Sequence, residues 1–172
     1  MENNTKYHNW IKRSLALLYL KEGIAEEINQ KAADLHNKIK QDVSRNCPSA
    51  VTSTCQPKCT SKSFKKTNNY TPWILNCASN VCNHWLDELI KYHEHRPCQD
   101  VKWVNCDPTL WPSQPWEVAK VFQPIGCATH RNAEDSDIAA LLTFMLNCKF
   151  FDNRILPNKS TILKEVSTIS IC

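Results

Sequence analysis

The chain has 172 residues, of which 42% are apolar, and it carries a formal net charge of +4 at neutral pH. This size and composition are typical of one domain with one hydrophobic core, so we expect a single helical domain over residues 1–172. The positive excess is too small for a dedicated nucleic-acid binder, although it permits RNA as a partner. The two glycines argue against phosphate-binding loops and glycine-turned hairpins, and favour a mainly α fold.

We expect neither a signal peptide nor a membrane-spanning helix in the amino-terminal segment. Residues 1–10 are polar, and the apolar run Leu15–Leu20 that follows is far shorter than the roughly 20 residues that cross a bilayer. We therefore expect no membrane partner and a cytoplasmic or nuclear location. In a reducing compartment, ten cysteines are more often metal ligands or buried thiols than disulfides.

Apolar residues at helical spacing predict two helices, or one long helix bent near Gly23, at the start of the chain. One set of such residues precedes Gly23 and another follows it, and spacings of three and four residues are typical of the buried face of a helix. We expect Trp10 to lie in the core, as we do Trp85 and Trp116. The two sets are Tyr7, Trp10, Ile11, Leu15 and Leu18, and then Ile24, Ile28, Ala32, Leu35 and Ile39.

Residues 46–82 form a cysteine-rich insertion within the helical domain. Pro48, Pro57 and Pro72 interrupt a run of Ser, Thr, Asn and Lys, which is typical of a loop. Such a stretch buries too little apolar surface to offset an ordering entropy of about 1–2 kcal/mol per residue. We therefore expect a cross-link that holds it in place.

Two cysteine pairs predict that this cross-link is a structural zinc ion. Cys55 and Cys59 are separated by 17 residues from Cys77 and Cys82, and the second pair leads into an amphipathic helix. Two thiolates on each turn can converge on one tetrahedral ion, and the positive end of the helix stabilises their charge. The gaps of three and four residues within the pairs exceed the usual gap of two.

A competing set of metal ligands lies near the other end of the same helix. In a continuous helix, the eleven residues from Cys82 to His93 span about 16 Å, so one ion cannot bridge both ends. The two sets are therefore alternatives or separate sites, and a solvated turn with a buried thiol would have the same composition. The competing set is His93, His95, Cys98 and Cys106. Cys148 is expected to be a core thiol.

Four further helices are expected after the insertion. The first runs from about Val81 to His93, and a short one begins near Ser113 and Pro115, a suitable N-cap and first-turn pair, and ends at Phe122. The apolar stretch Ile138–Leu146, preceded by aspartates and Ser136, should be the most buried element. Ser160 is expected to cap a last helix that carries Ile162, Val166 and Ile169.

A lysine cluster in the insertion supports a second interpretation, RNA binding. Four lysines surround Phe64 and precede Tyr70, and such side chains can contact phosphates and stack on bases. A solvated loop has the same composition, so both interpretations stay open. The candidate nucleic-acid-binding residues are Lys58, Lys62, Lys65 and Lys66.

Three segments resemble an uncharacterised animal family whose vertebrate member is an open reading frame on the X chromosome with a domain of unknown function. The block Trp116-Glu117-Val118-Ala119-Lys120 is the most specific, and the likeness extends from Trp10 to Cys172. The resemblance implies two cysteine pairs before the Cys-x-x-Trp helix. The three segments are Cys82–His93, Trp103–Cys106 and Trp116–Gly126.

The carboxy-terminal half, from Asp137 onward, also resembles HEPN domains, which are helical bundles. Active members are metal-independent RNases with an Arg-x4-6-His motif, which in the resembling proteins follows the position of Cys172. The resemblance thus implies an HEPN-like helical bundle with a cysteine-rich zinc-binding insertion, and by analogy a homodimer, but no catalytic residue in this chain.

Together these patterns predict a non-catalytic, zinc-stabilised helical interaction module that binds another protein. Four cysteine ligands would leave no open position on the metal for a catalytic water. The alternative is an RNA-binding HEPN-like domain, part of a longer RNase whose catalytic motif is missing from these residues.

Overall fold

The computed structural model describes residues 2–53, Cys55, Cys59, 64–65, 74–94 and 101–151, with no side-chain description for residues 2–5, 64–65 and 74–75. This part of the chain is mainly helical, as the composition predicts. Its helices are α1 (Glu2–Asn46), α2 (Val81–Lys91), α3 (Pro115–Ala119) and α4 (Ile138–Asn147). Two short strands, β1 (Phe64–Lys65) and β2 (Ile74–Leu75), pair antiparallel. Short 3-10 turns cover Pro48–Val51, Trp103–Asn105, Pro108–Leu110 and Lys120–Phe122.

Helix α1 is continuous over 45 residues and passes through Gly23, so neither a second helix nor a break occurs there. From Ala25 to Val43 its buried side chains recur every three or four residues and face α2, α3 and α4, as expected of an amphipathic helix. The buried positions are Ala25, Ile28, Ala32, Leu35, His36, Ile39 and Val43.

The first half of α1 contradicts the prediction that Trp10 is a core residue. Trp10 is 64% exposed and Tyr7 is 60% exposed, although both continue the apolar spacing of the buried stripe. Spacing identifies the apolar side of a helix, but burial requires another element against it. The elements that cover Ala25–Val43 leave the earlier turns in solvent.

The core lies between the second half of α1 and the three other helices. Its largest fully buried side chains are aromatic: Trp85, Trp111, Phe122 and Phe144, with the rings of Phe122 and Phe144 5.8 Å apart. The predicted core positions of Trp85, Trp116 and Cys148 are confirmed.

The ends of the shorter helices agree with the sequence only in part, and α3 ends at Ala119 rather than at Phe122. Helix α2 begins at Val81 but ends at Lys91, before His93. Pro115 occupies the first turn of α3, but the N-cap is Gln114, not Ser113, because the Ser113 hydroxyl donates instead to the carbonyl of Leu110 at 3.3 Å. Asp137 caps α4 by accepting from the backbone N–H of Ala140 at 2.7 Å.

The predicted helix from Ser160 lies outside the described residues. In the part of the chain that the structure describes, none of the helices combines the length and apolar composition that a membrane span requires.

Candidate metal centre

The four cysteines predicted as ligands converge on one point. The sulfur atoms of Cys55, Cys59, Cys77 and Cys82 all lie within 4.8 Å of one another, and no other such group of potential ligands occurs among the described residues. Cys55 Sγ is 3.1 Å from Cys59 Sγ and 3.3 Å from Cys77 Sγ. The cluster is therefore compact although its members span 28 positions of sequence.

Local structure explains how the pairs meet. The antiparallel pairing of β1 with β2 places Phe64 opposite Leu75, which returns the chain from Cys59 to Cys77. Cys82 lies in the first turn of α2, where backbone N–H groups point out of the helix and favour negative charge. One pair of strands and one helix end therefore help to bring the four thiols together.

The cysteines are free thiols rather than disulfides. All the described cysteines are unbridged, and the 3.1 Å between Cys55 and Cys59 sulfurs is well beyond the roughly 2.05 Å of a disulfide bond. Thiolates about 2.3 Å from a tetrahedral ion would be roughly 3.8 Å apart. The observed spacing is close to this, so the residues fit one metal ion with small adjustments.

Hydrogen bonds around the cluster place negative charge on one thiol. Burial is the strongest influence on Cys77 and raises the pKa of its thiol. Donors, led by the Ser79 hydroxyl and the Cys82 backbone N–H, outweigh it and lower the pKa to about 6. Burial raises the pKa of Cys59 to about 12 and raises that of Cys82 further. The thiolate form is therefore favoured at Cys77 over Cys59 and Cys82, and a bound cation would stabilise the thiolate form of those two as well.

Ser79 is a member of the site that the sequence reasoning missed. Its Oγ lies 3.4 Å from Cys77 Sγ and 3.8 Å from Cys55 Sγ, so its one hydroxyl proton can be donated to either sulfur. The sequence contains a signal for this role, because the hydroxyl of a serine two residues after a cysteine in a turn is well placed to form a hydrogen bond with the sulfur. Groups of this kind orient metal ligands from outside the coordination shell.

The competing ligand set is only partly described. His95 and Cys98 lie outside the described residues. His93 is buried with its ring stacked on Phe122, centroids 5.5 Å apart, and its backbone bridges to Cys148. Cys106 is buried and donates to the carbonyl of Trp103 at 3.4 Å. The two described members thus have structural roles, and the set as a ligand group stays a prediction.

The lysine cluster also falls largely outside the described residues. Lys58, Lys62 and Lys66 are not described, and of Lys65 only the backbone, in β1, is described. RNA contact by these residues therefore remains a prediction.

The Trp-Glu-Val-Ala-Lys block is part of the core. Trp116 to Lys120 are all buried, and the Lys120 ammonium donates to Glu117 Oε1 at 2.6 Å and to the carbonyl of Ala128 at 2.7 Å. Glu117 also accepts from the backbone N–H of Asp107 at 2.8 Å. A buried acid and base that satisfy each other and the backbone serve the fold, since breaking such a pair strands a charge.

A second group missed from the sequence is the turn around Asn105. The Asn105 side chain is buried, donates to the carbonyl of Pro124 at 2.7 Å and accepts from the backbone N–H of Gly126 at 3.2 Å. These bonds flank Ile125, which is 71% exposed, and Asn105 itself follows Val104, which is 56% exposed. The resulting apolar pair, Val104 and Ile125, lies on the surface of the body of the molecule.

Comparison with known proteins places the chain in a family. A family model described as a domain of unknown function, DUF4559, matches residues 2–169. The chain belongs to the DUF4559 family. This confirms the resemblance to an uncharacterised animal family.

A relative in Mus musculus, described as "Uncharacterized protein CXorf38 homolog", is 34% identical over 149 residues. These cover 87% of this chain but 43% of the mouse protein, so the chain spans less than half the length of that relative. No solved structure matches the DUF4559 chain.

Proposed function

We propose that this DUF4559 chain is a non-catalytic helical module that binds another protein and is held together by one structural zinc ion. The observation that carries the proposal is the convergence of Cys55, Cys59, Cys77 and Cys82. Thiolate sulfur suits zinc, whereas magnesium and calcium prefer oxygen. Four thiolates complete a tetrahedral shell and leave no position for a catalytic water, which favours a structural role.

Zinc would cross-link the insertion to the helical body. Cys55 and Cys59 belong to the loop, whereas Cys82 is in α2, a helix whose Trp85 and Leu89 are fully buried. Trp85 Nε1 also donates to the carbonyl of Ala50 at 3.0 Å, which fixes the start of the insertion. The zinc ion would hold the rest of the insertion in place, because the insertion has too few apolar residues to be held by burial.

The same proposal includes an HEPN-like bundle and a cytoplasmic or nuclear location. Packing of α1 with α2, α3 and α4 around one aromatic core is compatible with such a bundle. Unbridged thiols among the described cysteines favour a reducing compartment.

The surface pair Val104 and Ile125 is our candidate for the protein-binding site. Large apolar side chains on a rigid turn lose little entropy on binding, and they desolvate readily. Asn105 supplies that rigidity through its bonds to Pro124 and Gly126. We therefore infer that a partner covers this turn.

Metal content of the purified chain tests the zinc proposal. We expect one zinc and no iron per chain, ten titratable thiols after denaturation, and loss of zinc with a lower melting temperature in Cys77→Ala. Cys47→Ala, which changes a half-buried thiol outside the cluster, should retain zinc. Absence of metal together with a mass reduced by paired hydrogens would show disulfides and contradict the proposal.

Quantitative affinity purification tests the protein-binding surface. Ile125→Asp should lose specific partners while keeping its zinc and melting temperature, because the side chain is exposed. The matched control is Thr129→Asp, at another exposed position nearby in the chain. Identical partners for both variants and the wild type would exclude this surface.

RNA binding is the alternative function, and the lysines and aromatic residues of the insertion support it. Phosphate contacts predict binding that weakens steeply with salt. The test is the affinity for single-stranded RNA of the wild type and of Lys62→Gln/Lys65→Gln. Affinity that does not change with salt or with these substitutions would reject the alternative.

A further inference from the structure

The four thiols of the metal centre differ in their access to solvent. Cys55 and Cys59 are 4% exposed, and Cys82 is 1% exposed. Cys77 is only half-buried, and its neighbours at positions 76 and 78–80 are exposed. A small polar oxidant dissolved in water therefore reaches the Cys77 sulfur more easily than the other three.

A second thiol lies in contact with the accessible one. Cys55 Sγ is 3.3 Å from Cys77 Sγ, so a small movement would bring the two sulfurs to the roughly 2.05 Å of a disulfide bond. Cys55 Sγ is also 3.1 Å from Cys59 Sγ, but both of these thiols are buried, so neither is the first to meet an oxidant. The thiols of Cys59 and Cys82 each donate to a backbone carbonyl at 3.8 Å. Cys55 is therefore the thiol best placed to bond with Cys77.

We propose that the cluster is a peroxide-sensitive redox switch, in which Cys77 is oxidised first and Cys55 completes a disulfide with loss of the metal. This inference rests on the proposed function, since the metal is the structural zinc ion. Redox-sensor cysteines are accessible to solvent and lie beside a second thiol that resolves them. The pair of Cys77 and Cys55 combines these two properties.

The oxidant is a small hydroperoxide, and the reaction has two steps. In the first step, the Cys77 thiolate attacks one oxygen of hydrogen peroxide, the O–O bond breaks, hydroxide leaves, and the sulfur becomes a sulfenic acid. In the second step, the Cys55 thiolate attacks the Cys77 sulfur, the S–O bond breaks and a second hydroxide leaves. Two thiolates thus give two electrons to one peroxide, and one disulfide forms.

The disulfide removes two of the four zinc ligands. The thiolate is the form of cysteine that binds metal, so only Cys59 and Cys82 would remain on the ion. Structural zinc sites have four protein ligands, and we therefore expect zinc to leave. The insertion would exchange its cross-link to α2 for a disulfide that ends before that helix. A dithiol, which returns both electrons, would restore the thiols and zinc binding.

Peroxide treatment of the whole zinc-loaded chain tests the inference. We expect one zinc to be released for each disulfide formed, measured with a chromogenic chelator, and peptide mapping by mass spectrometry to find a bond between Cys55 and Cys77. A dithiol followed by zinc should restore the metal content and the melting temperature. A first disulfide between any other cysteines would overturn the inference, and so would a Cys55–Cys77 disulfide formed with zinc still bound.

Histidine substitutions separate the roles of the thiols, because three cysteines and one histidine also form a structural zinc site. Cys55→His and Cys77→His should keep zinc but release it under peroxide at least about tenfold more slowly than the wild type. The matched control is Cys82→His, which changes a buried thiol that takes no part in the two steps and should release zinc at the wild-type rate. In Cys55→His, the sulfenic acid at Cys77 should be trapped by dimedone.

Equal release rates in the three variants, or dimedone on another cysteine, would contradict the inference. If a variant fails to fold, the disulfide mapped in the wild type still decides. Zinc content before peroxide separates this inference from the proposed function. A reduced chain without zinc would contradict the structural site and the switch together, whereas a chain that holds one zinc and keeps it under peroxide would contradict the switch alone.

Discussion

At the scale of single residues, Asn105 illustrates how one buried amide organises a surface. Its donors reach the carbonyls of Lys120, Gln123 and Pro124 at 3.3, 3.4 and 2.7 Å, and its acceptor holds Gly126, whose φ of 107° suits glycine. The Asn105 amide therefore supplies hydrogen bonds to the backbone groups of this turn.

Replacing Asn105 should be costly. Asn105→Ala removes the donor to the carbonyls of Gln123 and Pro124 and the acceptor for the Gly126 N–H, and we expect a loss of about 2 kcal/mol in the free energy of unfolding. Asn105→Asp should cost at least as much, because a carboxylate would face those same carbonyl oxygens. Denaturant unfolding measures both, and a stable Asn105→Ala protein would contradict this account.

His36 makes the free energy of unfolding depend on pH. Its Nε2–H donates to the carbonyl of Trp111 at 2.8 Å, and its ring stacks on Trp85 with centroids 5.7 Å apart. Burial lowers the pKa of His36 below 6.5, and nearby Lys40 adds to this, while the bond to Trp111 opposes it.

The sign of this contribution follows from proton uptake. Below pH 6.5 the unfolded chain protonates His36 before the folded chain does, so stability falls as the pH decreases toward the folded pKa. His36→Gln should lower the stability at pH 7.5 but show a smaller further loss at pH 5.5 than the wild type. Unfolding curves at both pH values check this, and an unchanged pH dependence in the variant would exclude His36 as the source.

At the scale of elements, the patterns that predicted α2 and α4 are local. Trp85, Leu86 and Leu89 recur at helical spacing and are buried, and Asp137 stands where a cap is needed. The strands β1 and β2 had no such signal, because two residues each cannot establish an alternating pattern.

The cap of α4 can be tested directly. Asp137→Ala removes the acceptor for the Ala140 N–H and should destabilise the protein by about 1 kcal/mol. Asp137→Asn keeps a capping oxygen and serves as the matched control, with stability close to that of the wild type. Thermal and denaturant unfolding provide the comparison, and equal losses in the two variants would point to charge rather than capping.

At the scale of the whole molecule, α1 belongs to two environments. Leu35 is fully buried against the body, whereas Leu15, in the same helix, is 44% exposed. The same residue type on the same element therefore contributes differently to the core.

Matched substitutions in α1 should reveal this difference. Leu35→Ala should cost about 2–5 kcal/mol because it opens a cavity in the core, whereas Leu15→Ala should change stability by no more than about 0.5 kcal/mol. Denaturant unfolding of the two variants and the wild type measures both losses in the free energy of unfolding. Similar losses at the two positions would mean that the first half of α1 is covered in solution.

The amino-acid sequence by itself determined the helical class, the family, the ligand types and the positions of α2 and α4. These depend on neighbours three or four residues apart, or on residue chemistry that no fold alters. The tertiary structure decided which apolar residues are buried and which thiols meet. Trp10 and Trp85 have the same local pattern but only Trp85 has elements packed on it, and Cys59 reaches Cys77 only because β1 pairs with β2. Burial and convergence depend on contacts between distant segments, and local spacing does not encode those contacts.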